Sequence, residues 1–336
     1  MGARNRRSSP HESPMSDAAA ARHSGDAPVA WSAAALADLE ALSVAQGAMV
    51  RRQEPLSRHT SMGVGGPAPL MLWPRHPQAV GALLEWCAGR ALPWRVLGGG
   101  TNVLVADAGV GEPVLNITRL TDGIQLQAPR GLLPAGLPTA QALRLACREG
   151  LGGLVWSTGL PGTIGGAAAG NAGCWGGAMA GVVSRLDLVA ADGSWRALPA
   201  AALRWSYRRL ELPEDAGIGA VIVAVEVELR PEEPAELASR CEQLQRRKRE
   251  SQPVGARNAG CIFKNPAPDS AAGLLIDRAG CKGMRVGDAE ISQLHGNFLI
   301  NHGDASSADV EALIAAVKDS VREHAGVTLV EEIRRW

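Results

Sequence analysis

The glycines of this chain are dense enough for bare backbone to cradle a phosphate. From Gly150 to Ser184 there are 35 residues without one Asp, Glu, Lys or Arg, and 12 of them are glycine. At the centre runs Gly-Leu-Pro-Gly-Thr-Ile-Gly-Gly-Ala-Ala-Ala-Gly-Asn-Ala-Gly. Backbone free of side chains can approach a ligand closely and aim its N–H groups at phosphate oxygens. A second nest candidate, Gly98-Gly-Gly-Thr-Asn102, follows Trp94-Arg-Val-Leu and precedes Val103-Leu-Val. That order reads as strand, turn, strand. A nicotinamide fingerprint would lead from its glycines into a helix and place an acidic residue about 20 positions on, so neither segment is one. A membrane span would need roughly 20 predominantly apolar residues, and Pro161, Asn171 and the glycines interrupt every such window. A Gly/Ser linker is uniformly polar, whereas Leu154, Trp156, Leu160, Ile164 and Trp175 stud this stretch. The surviving alternative to a ligand cradle is a tightly packed structural loop.

Three other residues invite attention, and each has a bland reading that its surroundings favour. Cys261, between Gly260 and Ile262, reads as a small buried hydrophobe. Arg208, in Ser-Tyr-Arg-Arg, reads as a solvated strand arginine, and Glu332, in Val-Glu-Glu-Ile-Arg, as an edge carboxylate. His59 has no second histidine at metal-ligand spacing, so no metal site is expected. The run Arg246-Arg-Lys-Arg249 is flanked by Glu242 and Glu250 without interleaved aromatics. It reads as a solvated helix face and not as a nucleic-acid patch.

The elements that would position these residues follow from periodicity. Helices are predicted over 32–46, 78–90, 139–149, 235–251, 271–278 and 307–324, the last capped by Ser306 or Ser307. Strands are predicted at 94–97, 103–105, 184–189, 220–229 and 297–301, with a last one from 327. The Pro/Glu cluster 231–234 reads as a linker. The first 28 residues, rich in Ala, Ser, Pro and Arg, read as a disordered tail in which Met15 is an alternative start.

Lys plus Arg and Asp plus Glu each total 34, so the net charge is zero. A general nucleic-acid or membrane-surface binder would show a basic excess. The six cysteines contain no C-x-x-C pair, which argues against zinc and a disulfide framework and for a reducing cytoplasm. No apolar run near the start suggests a signal peptide. No apolar stripe marks an interface, so a monomer without nucleic-acid or membrane partners is expected.

Seven segments together resemble the UDP-N-acetylenolpyruvoylglucosamine reductase family, in its order, from about residue 50 to the end. They are Pro55-Leu-Ser-Arg-His-Thr-Ser with Val64-Gly-Gly, Leu97-Gly-Gly-Gly-Thr-Asn-Val-Leu-Val105, Thr158-Gly-Leu-Pro-Gly-Thr-Ile-Gly-Gly166 with Asn171-Ala-Gly, Tyr207-Arg208, Ala259-Gly-Cys-Ile-Phe-Lys-Asn-Pro266, His295-Gly-Asn-Phe-Leu-Ile-Asn301, and Leu329-Val-Glu-Glu-Ile-Arg334. The short interval from Arg208 to Cys261 is similar to the branch without the extra substrate-capping insertion.

The resemblance implies an α+β protein: a two-lobed FAD-binding domain of the vanillyl-alcohol-oxidase type over 29–230, with lobes of about 29–115 and 116–230. A C-terminal α+β substrate domain would cover 231–336. FAD would lie on Gly98, Gly99, Gly100, Thr101 and Asn102, and on Ser157, Gly159, Pro161, Gly162, Thr163, Gly165, Gly166, Asn171, Ala172 and Gly173. NADPH would reduce the flavin and leave, and the enolpyruvyl UDP-sugar would then take the same pocket on the route to peptidoglycan. Arg208 and Glu332 would act on the substrate carboxylate and the enolate, and Cys261 would donate the proton. Tyr207, Lys264 and Asn265 would contact substrate, with Arg246 and Arg257 as weaker candidates for its diphosphate. Cys261 stands where many members carry serine; Leu210 and Val155 also depart from the pattern. An oxidase on the same cradle and a noncatalytic nucleotide-binding module are the rival readings.

Overall fold

The computed structural model describes residues 30–336, so the expectations for a disordered tail and for Met15 lie outside the described residues. A four-stranded sheet begins the fold, in the order Met49–Pro55, Pro67–Trp73, Val114–Asn116, Arg95–Leu97, with the first pair antiparallel and the rest parallel. Helices α1 (Ala33–Ala45, N-capped by Ser32) and α2 (Pro77–Ala88) accompany it. An antiparallel five-stranded sheet follows, in the order Trp195–Pro199, Val183–Val189, Val221–Glu228, Arg130–Pro134, Gln125–Gln127. Helices α3 (Thr139–Arg148) and α4 (Ile164–Ala169) belong to this half. One apolar core runs through both sheets: Leu70, Val80, Leu83 and Leu115 pack with Leu133, Leu186 and Val225.

After helix α5 (Pro234–Ser251) comes a third sheet, Arg257–Cys261, Phe298–Asn301, Ala289–Ile291, Arg285–Val286, with α6 (Ala272–Arg278) and α7 (Ser307–Ala325). Along α7, Val310, Leu313, Ile314, Val317 and Val321 recur at helical spacing and are buried. Their core also takes Met62, Val64 and Leu104 from the first half of the chain, so the two halves share packing.

Two sequence expectations are corrected. The Pro/Glu cluster is no free linker: Arg230–Pro231 pairs with Leu151–Gly152, and the Glu232 carboxylate accepts from Arg230 and Arg240, each at 2.6 Å. The last strand does not begin at residue 327. Only Arg334–Arg335 joins a ladder, parallel to Val103–Leu104. Residues 330–332 instead divide their backbone bonds: Lys264 N donates to Val330 O at 2.8 Å and Glu332 N to Ile262 O at 2.7 Å.

Asp107, just beyond the strand at 103–104, fastens α7 to the first half. Its carboxylate accepts from Ser307 N at 2.8 Å and Ala308 N at 3.2 Å, while Ser307 Oγ accepts from Asp107 N at 2.9 Å. Partial desolvation opposes the charge, but these hydrogen bonds outweigh it and hold the carboxyl below its usual range. A depressed carboxyl stabilises the fold above the unfolded-state value near pH 4 and loses that effect as pH falls through the folded value. Asp107→Ala is therefore expected to lower the unfolding free energy by about 1 kcal/mol at pH 7, the low end for a solvent-screened cap. Denaturation at pH 7 and pH 3 checks it: the difference from wild type narrows in acid.

Candidate active site

The two glycine segments, roughly 60 residues apart in sequence, meet in space. A Cβ on Gly99 would stand 2.8 Å from the Gly162 Cα, and one on Gly98 would stand 2.7 Å from Thr163 Oγ1. Gly100 has φ +63°, and a Cβ there would lie 1.9 Å from His59 O, so only glycine fits. The amides of Gly99, Gly100 and Thr101 have no protein acceptor among the described residues. Gly159 and Gly162 also have positive φ, +75° and +94°. This composite nest is what a dinucleotide's phosphates need, and it fits the FAD that the sequence resemblance implies.

Not every residue of the glycine stretch is available to a ligand. Gly165 N donates to Ala135 O at 2.8 Å and its α-carbon packs against Ala135 and Ile117. Gly166 N is spent on Thr163 Oγ1 (3.3 Å), capping α4. The amides of Asn171 and Ala172 bond Ala168 O and Ala167 O. Gly173 joins a two-stranded hairpin with Ala178. Ser157 is buried with its hydroxyl on Leu154 O, and Pro161 is exposed at the rim. Part of the stretch therefore spends its backbone groups within the fold, while Gly162 and Thr163 face the turn at residues 98–102.

Beside the nest, Arg208, Glu332 and Cys261 converge from three distant segments. Arg208 occupies the turn of the hairpin Arg204–Ser206 with Arg209–Glu211, at φ +60°. A left-handed arginine is costly and turns the side chain inward. Its Nη1 donates to Gly173 O at 3.2 Å, and its Nε lies 2.9 Å from Glu332 Oε1. The contact is a largely buried ion pair. Leu210, the departure beside it, packs on the main core opposite Trp205 and leaves the turn intact.

Cys261 ends a strand whose pairing with Phe298–Asn301 slips between Asn258 and Cys261. Gly260 takes φ +75° at the irregularity, the kind of bulge that re-aims a side chain. Asn297 holds the next turn of chain: its Oδ1 accepts from Phe263 N at 2.9 Å and its Nδ2 donates to Phe263 O at 2.8 Å. Burial, with the Glu332 charge adding to it, pushes the Cys261 thiol up to about 12 against the opposing pull of Arg208 and Lys248. Burial likewise raises the Glu332 carboxyl, against Arg208 and Lys264. Burial thus shifts both acids toward their protonated forms next to a fixed cation.

Lys264 is half-buried within range of the Glu332 charge, and Asn265 N reaches the Tyr207 hydroxyl at 3.5 Å, Tyr207 itself being 55% exposed. Arg257 donates to Gly303 O at 3.1 Å, and Arg246 is exposed. Sequence reasoning missed Lys248 and Cys174. Lys248 Nζ donates to Gly159 O, and both it and Cys174 lie close enough to Cys261 for their charges to be felt. Within the supposed solvated face, Arg246, Arg247 and Arg249 are exposed but Lys248 is not. The signal was present: Leu237, Cys241, Leu244 and Lys248 repeat at intervals of 4, 3 and 4 and form the inner face of α5.

Comparison with known proteins gives the family. Residues 68–198 match the FAD binding domain family, and residues 252–336 match the family described as UDP-N-acetylenolpyruvoylglucosamine reductase, C-terminal domain. The reductase of Desulfosudis oleivorans is 39% identical over 84% of this chain and 93% of its own length. That of Anaeromyxobacter dehalogenans is 42% identical over 84% of each. The crystal structure of the Thermus caldophilus reductase superposes with a TM-score of 0.73 at 34% identity, covering 86% of this chain and 99% of that one. The fold is accordingly α+β, with an FAD-binding domain of the vanillyl-alcohol-oxidase type. Among the described residues no helix is long and apolar enough to cross a membrane. The glycine nest, arginine, carboxyl and thiol lie together on this fold, and relatives matched along almost their full length place the chain in the UDP-N-acetylenolpyruvoylglucosamine reductase family.

Proposed function

We propose that the chain uses NADPH to reduce the enolpyruvyl group of UDP-N-acetylglucosamine enolpyruvate to the lactyl ether of UDP-N-acetylmuramate, a peptidoglycan precursor. The observation that carries this reading is the meeting of Arg208, Glu332 and Cys261 beside the glycine nest. Residues 29–230 form the cofactor domain in this reading and 231–336 the substrate domain. Gly98 to Asn102, with Gly159, Gly162 and Thr163, would hold FAD. When bound, FAD supplies two-electron hydride transfer between NADPH and the substrate's vinyl carbon.

The chain's own residues do the rest. Arg208 binds the substrate carboxylate with its spare donors and offsets the charge that grows as the enolate forms. Glu332, whose carboxyl pKa burial raises, polarises the same substrate carboxyl when it carries a proton. Cys261 hands its proton to the carbon next to the one reduced, and the resulting thiolate is steadied by Arg208 and Lys248 until water reprotonates it. Tyr207, Lys264 and Asn265 line the approach and contact the sugar nucleotide.

An anaerobic spectral titration tests the reading. The yellow protein bleaches with NADPH and regains its colour when the enolpyruvyl sugar nucleotide is added. Return of colour with oxygen but not with the sugar nucleotide would overturn it in favour of an oxidase. The cradle has its own test: Gly99→Ala pushes a methyl against the Gly162 backbone and is expected to weaken FAD binding at least about tenfold. Flavin fluorescence on titrating apoprotein measures it.

A further inference from the structure

Asn102 does something in this structure that its place in a glycine nest does not announce. Its side-chain Nδ2 donates to Glu332 O at 3.2 Å, and its backbone carbonyl accepts from Arg334 N at 3.1 Å. Glu332 is thereby held from two sides, because its own amide donates to Ile262 O at 2.7 Å. The residue bearing the carboxyl is the stitch between the glycine turn and the segment that carries Cys261. Further along, Trp336 N donates to Leu104 O and Ala106 N to Trp336 O, both at 2.9 Å, and the Arg95 guanidinium lies 5.3 Å from the Trp336 ring. The last three residues thus zip onto the strand that leaves the turn.

We propose that Asn102 is a positioning residue that ties the set of the Gly98 to Asn102 turn to the placement of Glu332, with Trp336 locking the strand between them. Cofactor binding and the alignment of the carboxyl are then one linked equilibrium. A ligand that orders the turn orders the terminal strand, and loosening the strand weakens the hold on the ligand by the same factor. The inference rests on the reading of Glu332 as a group of the sugar-nucleotide half-reaction.

Hydrogen exchange on wild-type protein tests the linkage without any turnover. FAD is expected to slow exchange of the Glu332 and Arg334 amides at least about tenfold relative to apoprotein; no protection there overturns the proposal. At saturating FAD, Asn102→Ala is expected to slow the single-turnover sugar-nucleotide half-reaction about tenfold more than it slows flavin reduction by NADPH. Deleting Trp336 is expected to weaken FAD binding and to abolish the protection at Arg334. Equal slowing of both half-reactions by Asn102→Ala makes the residue merely structural and overturns the proposal. Glu332→Gln separates the two readings. If it slows the sugar-nucleotide step and Asn102→Ala does not, the positioning role fails alone; if it leaves that step unchanged, the role given to Glu332 fails first.

Discussion

Cys261→Ala should reduce FAD with NADPH at close to the wild-type rate and yet pass those electrons to the sugar nucleotide about 10²- to 10⁴-fold more slowly, the span that a positioned acid contributes. The split follows from what the thiol is for. Hydride reaches the flavin without an acid from Cys261, whereas the enolpyruvyl half-reaction ends with a new C–H bond whose proton must come from somewhere dry. Cys261→Ser keeps a donor in place and should retain turnover, because an alcohol is a weaker acid but an equally placed one. The pH profile adds a signature. An ordinary thiol titrates near 8.5 and would stop donating above that value, but burial and the Glu332 charge push Cys261 up to about 12. The sugar-nucleotide half-reaction of the wild type should therefore show no falling limb from this group between pH 8 and 10. Stopped-flow absorbance of the flavin in single turnovers measures all three. Equal losses in both half-reactions of Cys261→Ala would make the thiol a packing residue only.

The second large effect is expected at Arg208. Arg208→Ala should cost about 10²- to 10³-fold in the same half-reaction, the usual loss when one electrostatic stabiliser of a growing oxyanion is removed. Arg208→Lys should recover little of it, because an ammonium cannot span a carboxylate with a planar fork. Backbone strain complicates a simple alanine swap, since residue 208 sits at φ +60°. Arg208→Gly relieves that strain and should melt no lower than Arg208→Ala, while reducing the sugar nucleotide just as poorly. A glycine variant with normal sugar-nucleotide reduction would show that the turn, and not the guanidinium, is what the reaction needs. Loss of the guanidinium also removes the main force lowering the Glu332 pKa, so that carboxyl should titrate higher still in either variant.

Much of this protein was legible along the chain, for a physical reason that individual segments show. Helices such as α3 and α7 announce themselves because their buried positions repeat locally, and α7 begins at the Ser306 cap that its sequence offers. Glycine nests are legible because backbone that must touch a ligand cannot carry side chains, and collinear motifs made the family resemblance specific. The chemistry of Cys261, Arg208 and Glu332 was not legible from their neighbours, each of which suits a bland role. Only the tertiary structure gives them a common charge environment, 2.9 Å separating the guanidinium from the carboxylate across more than a hundred residues of chain. Lys248 stayed hidden because charge runs read as solvated until packing turns one member inward. The end of the chain stayed hidden too, since its partners lie at Ile262 and Asn102 and not beside it. Local pattern determines which elements form and where backbone must be bare; long-range contacts, which a linear string cannot weigh against one another, decide which side chains lose water together and hence which ones can react.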